Sequence, residues 1–562
     1  MRIAVKLKSM VAIIVCGAAL WHVSTSAATY YVNASTGNDA NNGTSMATPW
    51  QTFSRINGGT FNPGDQILFR RGDTFPGQMV IPSSGTLGNP IIFSAYKDPS
   101  STATALPVLS GATDGTMAVS ATILVQDKDN LEFNNLRIKN NNYAASLSGT
   151  NNVFGILVKG TGLRDLSYYR INNSTVSLVG PYQWNSSFDL ALTAGISFQN
   201  TSTQHVIKDI VVDSNKLNNN GRFGVLVIDQ SSTGSAYNPN QPILGIQDVS
   251  FTNNVCNNNG GSCLMGRRVK NLLILGNTIT NSGAAKPVNT TASIQMINRG
   301  SGAWFSGCYH VAVQNNYVAG SYGPGDSSNI HVDGSNNDVV IQYNKYFGDS
   351  GAGFELLGGN HHVIYRFNYS ANDGMRAGAG IFTISNYVPP PMGGAAVASD
   401  DVWIYNNTFT SNLSAPTSLA MGINATNIHF YNNIFADFGT STIAAPSFPA
   451  GYATSTMSWS NNLFYGAQSG ASAYDGAAIL KNPNFVSTAA SAFSANSIFV
   501  NNFKLLTSSP ALGVAYMGFS QPQFQAAGTG IFANISAAAT QGFFGEALPA
   551  SWNVGPYQSA GQ

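Results

Sequence analysis

An asparagine recurs through this chain at the end of alternating apolar segments, and the spacing of these marks restricts the folds open to it. The segments read IVVDSN ending at Asn215, VSFTNN at Asn254, LLILGN at Asn277, VAVQNN at Asn316 and VVIQYN at Asn344. They continue as HVIYRFN at Asn368, VWIYNN at Asn407, IHFYNN at Asn433 and MSWSNN at Asn462. Neighbouring marks lie 23, 24, 26, 28 or 29 residues apart, and three gaps are 39 residues. Self-similarity at such a period specifies stacked repeats. The unit here is short strands and turns, so each repeat is expected to be one turn of a coil. Such a coil places equivalent side chains in columns on its outer face. Identical asparagines in a column can hydrogen-bond along the stack, and their role is read as structural.

Composition narrows the class further. Charged residues are only 9% and the formal net charge is +1. No basic stripe is present to neutralise phosphates, which argues against a nucleic-acid partner. Low charge combined with 11% aromatic residues argues against disorder. The chain opens with Arg2, Lys6 and Lys8, an apolar run from Met10 to Leu20, and small residues at Ser26-Ala27-Ala28. That pattern reads as a signal peptide over residues 1–28. Val15 is larger than the small residue usual before a lipid-modified cysteine such as Cys16 would be. The apolar run is too short to span a bilayer comfortably, and no later segment reads as transmembrane. The expected product is a soluble monomer, secreted or periplasmic. Cys256, Cys263 and Cys308 remain after cleavage; with an odd number, at least one thiol is unpaired or pairs between chains. Cys256 and Cys263 can pair, their spacing carries no metal signature, and the plain reading of all three is buried small residues.

The remaining chain reads as one continuous domain: an N-terminal cap and first coils over 29–125, the main helix of strands over 126–466, and last coils with a loop-rich C-terminal cap over 467–562. At the start, Tyr30 to Asn33 reads as a strand, and Pro49 suits the first turn of a short capping helix. Two coils can be read in detail. Asn329 to Asn336 is NIHVDGSN, Val339 to Tyr343 is a second strand, and a turn with Gly348, Asp349 and Gly351 leads to GFELLGGN from Gly353 to Asn360. Alternation points Ile330, Val332, Phe354 and Leu356 inward, and His331, Asp333, Glu355 and Leu357 outward. The long gaps predict side loops over Asp229–Gly245, Thr280–Thr291 and Pro389–Asp400, placed to wall a groove.

The Asn-marked coils, the opening YYVNASTGNDANNGTSMATPWQTF with PGDQILFRRGDTF, and the late FKLLTSSPALG resemble secreted bacterial members of the pectate-lyase-like superfamily. The resemblance implies an all-β, single-stranded right-handed parallel β-helix, a solenoid acting on carbohydrate. That superfamily includes polysaccharide lyases, glycosidases, epimerases and phage tailspikes.

Outward positions locate the candidate chemistry. His331 and Glu355 occupy equivalent places 24 residues apart, with Gln295 expected one coil earlier. Ile297, Asp333 and Leu357 are expected at the second outward place, and Leu157, Ser197, Leu226 and Leu264 at the first place of earlier coils. Coils stack ~4.8 Å apart and two residues along a strand span ~6.6 Å, which puts the Asp333 and Glu355 carboxylates roughly 5–9 Å apart. That range covers both retaining and inverting glycosidase separations. Leu357 and the nearby Asp333 would raise Glu355, so Glu355 reads as general acid and Asp333 as nucleophile or base. An outward Asp followed one coil later by an outward Glu is similar to the nucleophile and acid/base pair of β-helix β-xylosidases; the residues around each differ, so xylose specificity is not implied. Asp326, Asp349 and Asp373 are expected in one turn column, where Asp326 can be a third catalytic acid. The same turns can bind sugar or Ca²⁺, or serve as ordinary turn chemistry. No metal ligand set and no required cofactor is read.

Arg299, Arg376, Arg267 and Arg268 flank this region and can hold an anionic group on a sugar. Trp304 and Tyr322 can stack on sugar rings or pack in loops, and His361-His362 reads as facing solvent or closing a turn. Three functions follow in order: a glycoside hydrolase on an oligosaccharide or polysaccharide, a polysaccharide lyase, and a non-catalytic glycan-binding protein. A lyase needs a base such as His331, Lys345 or Arg376 to take a C5 proton, and near-zero net charge gives a uronate polymer no overall attraction.

Overall fold

A computed structural model of the protein describes residues 26–112, 119–140, 152–180, 192–231, 245–283, 299–323, 325–376, 379–387, 396–414 and 418–562. The expected signal segment up to residue 25, and most of the three expected side loops, lie outside the described residues.

The chain is a right-handed parallel β-helix. Its strands form three parallel sheets of 14, 13 and 13 strands, and every strand between the two ends of a sheet pairs with its counterpart one coil before and one coil after. One coil runs through Ile330–Val332 in the second sheet, Asn337–Gln342 in the first and Lys345–Phe347 in the third, and then re-enters the second sheet at Phe354–Leu356. Each coil thus has three strands where the sequence suggested two. The third strand is only three residues here, too short for alternation to announce it.

The inward set is as expected. Ile330, Val332, Phe354 and Leu356 are all buried in one core that extends the length of the coil stack. Trp50, Phe53 and Ile56 close its N-terminal end. The capping helix is Ser54–Asn57, so it begins after Pro49 rather than at it. Trp50 instead bridges to Val32.

The recurring asparagines form a continuous ladder from Asn215 to Asn462. At each step the backbone N–H and the Nδ2 of one asparagine both donate to Oδ1 of the next, as from Asn316 to Asn344 at 2.9 and 3.0 Å. Ser174 begins the ladder below Asn215, and Asp475 ends it above Asn462. The residue before each ladder position takes a left-handed backbone: Asn253, Asn315, Asn406, Asn432 and Asn461 all have φ near +55°. Asparagine tolerates this region better than most residues, which explains why the mark is so often doubled. The first Asn makes the bend and the second makes the ladder. Asn344→Ala removes the acceptor for Asn316 and strands several buried groups at ~1–3 kcal/mol each. A chemical-denaturation midpoint clearly below wild type is expected; an unchanged midpoint would show that the ladder contributes nothing.

The C-terminal residues do more than close an end. Phe524, Phe532 and Trp552 pack on Val340, Ile364 and Phe367, on the outside of the first sheet. Phe499 and Phe503 cover Tyr317, Ala319 and Tyr369 on the outside of the third. Arg366, fully buried, donates to Gln342, to the Tyr405 hydroxyl and to the carbonyls of Ser536 and Ala537. Runs such as VVI and HVIY are apolar on both faces because both faces are covered. His362 is part of this packing rather than facing solvent: its Nδ1 lies 2.6 Å from Asp401 and its Nε2 2.9 Å from the Gln523 carbonyl. His361 is the exposed member of the pair. Cys256 and Cys263 form a disulfide, and Cys308 is free and buried, its thiol pushed up to about 12 by burial.

Candidate active site

The outer column of the second sheet decides where chemistry can occur. Register runs Leu157, Ser197, Leu226, Met265, Trp304, His331, Glu355 and Thr383. Met265, not Leu264, holds the outward place in its coil; Leu264 points into the core. Trp304 fills the place expected for Gln295, which lies outside the described residues, as does Ile297. The column is mostly apolar up to Trp304 and then turns abruptly ionisable.

His331 is the centre of the cluster. Its Nδ1 is 3.6 Å from Glu355 Oε2 and 4.0 Å from Asp326 Oδ2, and its Nε2 is 4.0 Å from Asp333 Oδ1. Neither ring nitrogen has a hydrogen-bond partner among the described residues. Outward does not mean exposed here: His331, Asp333 and Glu355 are all buried, and their side chains are 1%, 4% and 10% exposed. Asp326 is the open member at 29%.

Each carboxyl group has its own setting. Asp333 accepts from Trp304 Nε1 at 2.7 Å and from the Gly334 N–H at 2.8 Å. Glu355 accepts from Ser328 Oγ at 2.7 Å. Asp326 lies 3.3 Å from Arg299 Nε. Burial raises Asp333 and Glu355 above the ordinary carboxylate range, partly offset by His331. Burial alone would lower His331, but Glu355, Asp326 and Asp333 outweigh it and hold the ring above its usual value. Buried groups with perturbed proton affinities, converging from adjacent coils, make this cluster a functional-site candidate.

Other expected residues do different work. Trp304 is buried, stacked on His331 with ring centroids 5.6 Å apart, so it positions Asp333 and His331 instead of offering a face to a sugar. Arg376 donates to the carbonyls of Gly323 and Gly325 and braces the loop that carries Asp326. Arg268 pairs with Asp229 at 3.5 Å. Ser328 was missed in the sequence, where nothing separates it from the neighbouring serine and asparagine. Tyr322 lies on the other side of the loop from the cluster, at a separate cavity.

Asp326 does not share a column with Asp349 and Asp373. The position two residues beyond the third-sheet strands runs Asn220, Asn259, Ser282, Ser321, Asp349, Asp373. It is a second ladder: Ser321 N–H donates to Asp349 Oδ1, and Asp349 N–H to Asp373 Oδ1. At Asn220 and Asn259 the amide nitrogen donates to a carbonyl oxygen. A carboxylate cannot, and Asp349 Oδ2 has no hydrogen-bond partner among the described residues. Burial pushes Asp349 up, with Asp373 adding to it, and burial raises Asp373 to about 6. The native state therefore holds protons the unfolded chain releases above pH ~3.9. Stability falls as pH rises from there through the folded values. Asp349→Asn is expected to flatten this decline in melting temperature between acid and neutral pH; an unchanged slope would reject the assignment.

Asp326, His331 and Glu355 place one ligand atom each within 4.8 Å of one another. One imidazole and two carboxylates suit a borderline metal such as zinc better than Ca²⁺, which takes six to eight oxygens.

No family model matches the chain. Over 79 residues it is 37% identical to a lacto-N-biosidase of Bifidobacterium longum subsp. longum, a match spanning 13% of this chain and 5% of that protein. Among solved structures, a GH136 lacto-N-biosidase from Eubacterium ramulus superposes with a TM-score of 0.53 and 18% identity, over 68% of this chain and 64% of that one. Pectate lyase Pel9A is also similar, with a TM-score of 0.39 and 14% identity over 94% and 96% of the two chains. The chain thus covers less than two thirds of either biosidase. Among the described residues, no helix is long and apolar enough to cross a membrane.

Proposed function

We propose that the protein is an exported glycoside hydrolase acting on an oligosaccharide or polysaccharide. The observation that carries this is the convergence of three carboxyl groups on buried His331. Asp333 and Glu355 flank His331 and are both held above the ordinary carboxylate range by burial, a setting in which one can keep its proton while the other is ionised. One protonated and one ionised carboxyl is the state glycoside cleavage requires. Asp333 takes two hydrogen bonds that favour its ionised form, which suits a nucleophile or base. Glu355, buried and raised, suits the general acid. A second assignment, with Asp326 as the acid, is favoured by its greater exposure, since the acid must reach the glycosidic oxygen. The local match to a lacto-N-biosidase supports the hydrolase class. The buried disulfide supports an oxidising compartment, in keeping with export.

An imidazole whose proton affinity the surrounding carboxyl groups raise is less suited to serve as a lyase's base, and Arg376 is occupied by loop carbonyls. The test is digestion of a panel of neutral and uronate-containing glycans, including one ending in lacto-N-biose, with product mass analysis. Products heavier by one water and without unsaturated-uronate absorbance are expected, unchanged by a chelator. Unsaturated products would establish a lyase, and loss of activity on chelation would give Asp326, His331 and Glu355 to a metal.

A further inference from the structure

The loop that carries Asp326 and Ser328 to the cluster brings its first half elsewhere. Gly320 and Tyr322 line a cavity of about 420 Å³ on the outside of the third sheet. Register explains the hollow. Thr280, Ala319 and Phe347 are successive members of one outward column, and the small Ala319 forms a floor between larger neighbours. Tyr317, Tyr322 and Phe347 contribute rings, and Met375 lies at the cavity with 39% exposure. The covering C-terminal segment contributes Ala495, where its aromatic packing on Phe347 begins.

The lining has a definite chemistry. It includes aromatic faces together with the Thr280 hydroxyl and the Asn281 amide, and among the described residues none of its side chains is charged. The Tyr317 hydroxyl is buried without a hydrogen-bond partner among the described residues. Aromatic faces with a few placed polar groups suit the apolar faces and edge hydroxyls of sugar rings. The absence of charge disfavours a uronate. The volume lies near the lower end of the ~300–1,000 Å³ usual for small-molecule sites, room for one or two sugar units.

We propose that this cavity is a second carbohydrate site, separate from the carboxylate cluster, that takes uncharged sugar units. The choice of ligand class rests on the hydrolase reading; the site itself does not. Tyr322 and Met375 adjoin it, Arg376 follows Met375, and Arg376 braces the loop bearing Asp326. Occupancy is therefore mechanically joined to the acid-bearing half of the loop.

The experiment uses the full chain carrying Asp333→Asn, so that no probe is turned over. Methyl glycosides of galactose, glucose and N-acetylglucosamine, and methyl galacturonide as the charged control, are titrated by saturation-transfer NMR. At least one neutral glycoside is expected to bind and the galacturonide not to. Ala319→Leu, which fills the floor and keeps every ring, should weaken binding by at least about tenfold, or 1.4 kcal/mol. Tyr322→Ala, at a partly exposed position, gives the same reading should the filled variant not fold. No binding of any neutral glycoside overturns the proposal. So does binding that both pocket variants leave unchanged, which would place the sugar at the cluster. Pocket binding without turnover by the wild type would reject the hydrolase reading alone.

Discussion

Asp333→Asn is expected to lower turnover by several orders of magnitude while circular dichroism and melting stay near wild type. The exchange keeps the shape but only one of the two oxygens that accept from Trp304 and Gly334, and it removes the charge that attacks or activates water. Glu355→Gln separates the two acid assignments. Positioned general acids contribute ~10²–10⁴-fold. If Glu355 protonates the leaving group, the loss is largest on natural glycosides and small on activated aryl glycosides, which need little protonation. If Asp326 is the acid, Asp326→Asn shows that dependence, and Glu355→Gln slows both substrate types alike through His331. Azide restores activity to Asp333→Ala through a glycosyl azide of inverted configuration only if Asp333 is a nucleophile in a retaining enzyme. Full activity in all three single variants would remove the site altogether. The pH profile carries its own check. Glu355 is held above the usual carboxylate range, so activity that depends on its proton extends to higher pH than an ordinary glutamic acid allows, then falls as that proton is lost.

The sequence showed the coil through its asparagines because the ladder admits few substitutes at those positions. Column neighbours needed register, which held for Leu157, Ser197 and Leu226 and failed in the next two coils. Gln295 and Trp304 compete for one place within a 39-residue gap, and counting from the asparagine mark gave no way to choose. Leu264 is expected outward where Met265 stands, a slip of one residue, which reverses a strand's faces. Asp326 was grouped with Asp349 and Asp373 because all three precede second-sheet strands, yet the loop before Ile330 is longer than the one before Phe354. His331 and Glu355 were placed correctly because their coils differ by the same 24 residues as Asn344 and Asn368. Burial of the cluster was not legible. Alternation says which way a side chain points and nothing of what other coils and loops lay over it.

Phe354→Ala is expected to be among the most destabilising single changes in the middle coils. Phe354 is fully buried, packs 4.4 Å centroid to centroid against Tyr365, and pairs in register with Phe382 of the next coil. Truncating a buried phenylalanine costs ~3–5 kcal/mol, part lost transfer energy and part cavity. In a stacked solenoid each coil rests only on its neighbours, so the loss is felt first as local opening. Amide exchange should quicken most along Ile330–Val332 and Phe354–Leu356, with the C-terminal coils next and the N-terminal cap least. Because Glu355 follows directly in the chain, turnover should fall together with protection. Leu356→Ala serves as the control: it leaves a smaller cavity on the same strand and should give a milder version of both effects. Unchanged melting and unchanged exchange in Phe354→Ala would mean the inward register of this strand is wrong, and Glu355 would then lose its place on the outer face.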